Sequence, residues 1–170
     1  YLDATSTINL VNCTLHANAV NGGEAGPGGI MIYPDPDEQG PSGNTGMDGS
    51  GGAIHSAVSI SVHNTVFSNL EPDTFSGTVT PFSCLFYNSS DSAGFDGTNN
   101  SKVGDPAFSD AANGDFAPGS GSMATNAADE THLPVGTTTD FNGDARIQGG
   151  VLDIGAIETD PYVDSAPVVL

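Results

Sequence analysis

Two basic side chains, Lys102 and Arg146, stand against 21 acidic ones in this 170-residue chain, giving a formal net charge of -19. Arg146 lies in the stretch DFNGDARIQGG (140–150), with Asp140 and Asp144 before it and Asp153 and Glu158 after it. Three chemistries could use such a cluster. The first is calcium binding. Asp140, Asn142 and Asp144 have the i, i+2, i+4 spacing of the first EF-hand ligands, hard oxygens that surround the ion. That loop needs Gly at its sixth position and a bidentate Glu at its twelfth; here those positions are Ala145 and Val151. The EF-hand is excluded, and a looser Ca²⁺ site on Asp140, Asn142 and Asp144 stays open. The second chemistry is a structural clasp. A guanidinium carries five donors in a fixed fork, suited to tying the carboxylates of Asp140, Asp153 and Glu158 to nearby carbonyls. The third is carboxylate catalysis. Glycoside hydrolysis takes two carboxylates across a cleft, but with 21 acids such pairs arise freely. Elimination from uronates needs a basic proton acceptor, and neither Lys102 nor Arg146 falls in a repeated strand. The clasp is the preferred reading, and no catalytic residue is assigned.

Other reactive groups are scattered. His16, His55, His63 and His132 form no HExxH pattern and no Cys/His pair at metal spacing, and no Gly-x-Ser-x-Gly occurs. His16 and His63 read as solvent-facing neighbours of strands. Cys13 and Cys84 are too few for a disulfide framework and read as small corner or core residues. Nucleic acid is excluded as a partner, because phosphate neutralisation requires clustered Lys and Arg. No run of about 18 apolar residues exists, so no membrane-inserted helix is expected. An acidic surface nearly devoid of Lys suits an extracellular or cell-surface setting. The chain opens without Met or a basic leader and reads as a processed piece of a longer protein.

The elements that must carry these groups show an internal repeat. INLVNCTL (8–15), ISVHNTVF (60–67) and VTPFSCLF (79–86) superpose with Ile8, Ile60 and Val79 in one column. Leu10 and Val62 form a second column, and Asn12, Asn64 and Ser83 a third. Each copy reads as strand, corner, strand, since alternate apolar residues mark a half-buried strand. Recurrence without tight Asn-Gly turns favours parallel stacking over hairpins. The Asn12, Asn64 and Ser83 column is expected to bond along the stack through its side chains. GGIMIY (28–33) and GGAIHS (51–56) flank a Pro- and Gly-rich acidic stretch, read as an inserted loop at about 34–50 and a second candidate for Ca²⁺. The expected architecture is all-β, a right-handed parallel β-helix (solenoid). Residues 1–103 would hold the coils, and 104–170 a terminal coil and C-terminal cap.

The coil segments NCTLHAN and NTVFSN resemble the β-helix repeats of bacterial surface proteins related to polymorphic outer-membrane proteins. The tail, GDPAFSDAANGDFAPGSGSMATNAAD (104–129) with TTDFNGDARIQGGVLDIGAIE (138–158), is similar to the terminal module of choice-of-anchor Q type proteins. MATN (123–126) departs from that pattern, which has an acidic residue where Asn126 stands. The resemblance implies an extracellular structural or adhesive protein, such as a stalk, adhesin or filament component, without catalytic activity. Implied partners are other coils of the same protein or identical subunits, and a glycan or other cell-surface ligand. The alternative is part of a polysaccharide-active lyase or glycoside hydrolase.

Overall fold

A computed structural model describes residues 8–19 and 52–160. The expected GGIMIY strand and the loop at about 34–50 lie outside the described residues. The first sheet holds β1 (Ile8–Val11), β3 (Ile54–His63) and β5 (Phe75–Phe82), in the order β1-β3-β5. The second holds β2 (Thr14–His16), β4 (Val66–Ser68), β6 (Leu85–Tyr87) and β7 (Lys102–Val103), in the order β2-β4-β6-β7. Both are parallel, and their register pairs Ile8 with Ile60 and Ile60 with Val79, then Leu10 with Val62 and Val62 with Pro81.

The right-handed β-helix does not form. After Val103 the chain leaves the parallel course: Gly114, at φ 84, helps turn β8 (Phe108–Asp110) into β9 (Asp115–Pro118), and the two pair antiparallel. The sheets are therefore mixed. The parallel ones are only three and four strands deep, and the strands of the second are two or three residues long. Among the described residues no third parallel sheet closes each strand–corner–strand unit into a complete coil. Bulging of β3 against β5 between Ser56 and Ile60 further breaks the uniform register that a solenoid requires.

Two columns of left-handed residues make the corners. Asn12, Asn64 and Ser83 have φ of 53, 49 and 50, and five residues later Ala17, Asn69 and Asn88 have 54, 53 and 51. Asn tolerates this conformation because its short polar side chain bonds locally. Each corner residue stays in the ladder: Asn12 N–H donates to His63 O and Asn64 N–H to Phe82 O, both at 3.1 Å. The expected side-chain ladder does not run through the first column, where Asn64 turns to Asp129 instead. It appears in the second, where Asn88 Nδ2 donates to Asn69 Oδ1 at 2.7 Å.

The second sheet is covered on both faces. Successive side chains of a strand point oppositely, so Phe67 and Phe86 face the first sheet and join Ile60, Val62, Leu70 and Cys84 in one core. Val66 and Leu85 point away and meet Ala124 and Ile154 of the C-terminal segment in another. Gly155 allows that close approach: at φ 116, a Cβ there would sit 3.0 Å from Thr14 Oγ1 and 3.2 Å from Val66 Cγ2. The 104–158 stretch thus serves as the outer layer of the second sheet.

Candidate functional site

The acids around Arg146 come together by holding backbone. Arg146 is 3% exposed, and its Nη1 lies 3.1 Å from Glu158 Oε1. Its Nη2 donates to Gly155 O at 2.7 Å and Asp153 O at 3.4 Å. The guanidinium thus ties one carboxylate and two carbonyls; the side chains of Asp140 and Asp153 are spent elsewhere. Asp153 Oδ1 accepts from Asn126 N–H at 2.6 Å, and its Oδ2 from Thr159 N–H and Oγ1 at 2.9 Å. Asp140 Oδ1 accepts from the N–H groups of Asn142 and Asp144, and its Oδ2 from Glu158 N–H, all at 2.9 Å. Glu158 accepts Asp153 N–H through both oxygens, at 3.2 and 3.0 Å. All six carboxylate oxygens of these three acids are engaged.

The same bonds bear on the calcium candidates Asp140, Asn142 and Asp144. Three N–H donors converge on Asp140, whose lone pairs a cation would need, and Asn142 and Asp144 are exposed. Among the described residues no group of three or more His, Cys, Asp or Glu is arranged to hold a metal ion. The VLDIGAIE stretch (151–158) packs through Leu152, Ile154 and Ile157, while Val151 is exposed. Asn126, standing where the resembling pattern has an acid, contributes its main-chain N–H to Asp153.

Burial pushes the Glu158 carboxyl up to about 7, against the opposing pull of Asp153 N–H and Arg146. Its folded value lies above the ordinary 4.5, so its contribution to stability is full below about 4.5 and is lost as pH rises through about 7. Glu158→Gln is therefore expected to flatten the fall in stability between pH 5 and 8, read from urea midpoints at each pH. His63 works oppositely: burial and the neighbouring His132 lower its pKa, so its contribution is lost as pH falls below the ordinary 6.5.

Neither strand histidine is a solvent-facing bystander. His63 stacks on Phe82 at 4.9 Å and lies 4.0 Å from the His132 ring. His16 Nδ1 sits 2.8 Å from Ser68 Oγ and packs against Phe108 and Phe116. His16, on the second sheet, reaches Phe108 and Phe116 because the hairpin folds back over it, and His63, at the end of a first-sheet strand, meets His132 of the C-terminal segment. Cys13 is half-buried and Cys84 fully buried, both as free thiols, with burial raising Cys84 to about 11.

A cavity of about 930 Å³ opens where the Val11–Thr14 corner, the hairpin tip and the 137–157 stretch meet. Its wall includes Asn12, Phe116, Thr139, Asp140, Phe141 and Arg146. Both carboxamide atoms of Asn12 and the Nε of Arg146 are buried there without a hydrogen-bond partner. Sequence reasoning placed Asn12 in a ladder and missed Phe116, Thr139 and Phe141. It also missed the link from Asn64 to Asp129, which joins residues 65 apart and leaves no periodic trace. The second corner column did have a signal: a second Asn five residues after Asn64 and after Ser83. Among the described residues no helix is long and apolar enough to cross a membrane. Comparison with protein-family models, curated proteins and solved structures finds no match to this chain.

Proposed function

We propose that the chain is an extracellular structural or adhesive module without catalytic activity, in which a stiff two-sheet scaffold presents a recognition cavity. One observation carries this reading: the carboxylates of Asp140, Asp153 and Glu158 are all committed to main-chain N–H groups, Thr159 or Arg146. A general acid or base must instead point a free oxygen at a substrate. Asp140 is the acid of this cluster that borders the cavity, and its bonds hold a turn. The likeness of 104–158 to the terminal modules of choice-of-anchor Q type surface proteins points the same way.

The test pairs retention with cleavage on beads coated with cellulose, polygalacturonate or protein. Retention that survives washing is expected, with no new reducing ends and no unsaturated uronate. Cleavage that disappears in Asp140→Asn or Asp115→Asn would overturn the reading in favour of a polysaccharide-active enzyme.

A further inference from the structure

The carboxamide at the Asn64 corner grips a peptide main chain. Its Nδ2 donates to Asp129 O and its Oδ1 accepts from Asp129 N–H, each at 2.9 Å. Asp129 is extended, with φ -103 and ψ 109. In an extended residue the N–H and C=O point to the same side, so one primary amide satisfies both, as a neighbouring strand would. Asn12 occupies the equivalent place one strand over, at φ 53 against 49. Its register follows from the pairing of Val11 with His63. Yet both polar atoms of its carboxamide are buried and unpaired, at the wall of the 930 Å³ cavity. Arg146, 3% exposed on the same wall, keeps an unpaired Nε–H. Buried amide and guanidinium groups carry a desolvation penalty unless partnered.

We propose that this cavity binds an extended segment of a partner polypeptide, one residue of which offers its N–H and C=O to Asn12 as Asp129 does to Asn64. Arg146 Nε donates to a carbonyl of the same segment. Phe116 and Phe141 on the wall receive an apolar side chain, and Phe141 is 82% exposed, ready to be covered. Asp115 and Asp140 on the wall, within a chain of net charge -19, select a neutral or basic segment over an acidic one. A pyranose would also stack on the phenyl rings, but it lacks the paired N–H and C=O of an extended residue. The proposal deepens the adhesive half of the reading above and rests on it.

The probe is a capped hexapeptide of alternating threonine and valine with one lysine, beside the same peptide N-methylated at its central residues. Nuclear magnetic resonance on the ¹⁵N-labelled protein follows the Asn12 side-chain NH₂ signal, assigned by its loss in Asn12→Gly. Glycine keeps the left-handed corner without strain, and circular dichroism checks that the variant is folded. Saturable shifts of the Asn12 signal are expected, with affinity about tenfold lower for Asn12→Gly and for the N-methylated peptide, the effect of losing a pair of hydrogen bonds. Phe141→Ala should weaken binding as well. The site is refuted by an unmoved Asn12 signal at millimolar peptide, by equal affinity in Asn12→Gly or for the N-methylated peptide, or by cellohexaose shifting the signal in the peptide's place. Beads that still retain the protein after such a refutation leave the adhesive reading standing; polysaccharide cleavage alongside peptide binding removes the non-catalytic reading instead.

Discussion

Arg146→Ala is expected to destabilise the protein by about 3 to 5 kcal/mol, the usual effect of removing one partner from a buried ion pair. The reason lies less in the attraction lost than in what is left behind. Glu158, whose side chain has no exposure, would be left beside Asp153 N–H with no cation nearby, so that it must either bear an uncompensated charge or take up a proton, and the carbonyls of Gly155 and Asp153 would each lose a donor. Against a total stability of about 5 to 15 kcal/mol for an ordinary domain, this is a large fraction. Lys102 is the control: it is exposed, so Lys102→Ala should change stability by less than about 0.5 kcal/mol. Arg146→Lys should fall between, since an ammonium restores the charge but cannot span Glu158 and the two carbonyls with a planar fork. Denaturant midpoints measured side by side decide the matter; equal midpoints for the Arg146 and Lys102 alanine variants would reduce the clasp to a surface ion pair.

Phe86→Ala is expected to cost a similar amount, about 3 to 5 kcal/mol, through a cavity rather than a stranded charge. Phe86 is fully buried and lies mid-stack, parallel to Phe67 at 5.2 Å and to Phe95 at 4.4 Å, with the edge of Phe75 at 5.9 Å. Its neighbours sit on strands and a 3₁₀ turn already fixed by ladder bonds, so they can close only part of the void. The contrasting substitution is Phe141→Ala: that ring is 82% exposed, and its removal should shift stability by no more than about 0.5 kcal/mol. Thermal and urea unfolding of the two variants separates a packed ring from a presented one. A mild Phe86→Ala would mean that the aromatic stack is not the centre of the core.

The in-register pairing of the three repeated segments was legible because it depends on local alternation, which burial of one strand face imposes on every copy alike. Ile8, Ile60 and Val79 could be aligned on paper because parallel neighbours superpose like residues. The corner Asn12, Asn64 and Ser83 were visible for the same reason: a left-handed turn recurs wherever the strand ends. The proximity of Arg146 to Glu158 could also be anticipated, since a lone buried cation in so acidic a chain has carboxylates on every side.

What tertiary structure alone decided is everything that depends on where the chain goes after Val103. Periodicity says nothing of a segment that pairs once and then turns back, so the β8–β9 hairpin and the mixed sheets replaced the expected right-handed solenoid. The same fold-back chose a partner for Asn64 and left Asn12 without one, although the two share residue type, corner and backbone conformation. It also packed His63 against His132 and His16 between the hairpin aromatics. Local sequence determines which groups can bond and which way each strand faces. Which of several chemically equal groups finds its partner depends on contacts between residues tens of positions apart, and those are set only when the outer layer settles on the second sheet.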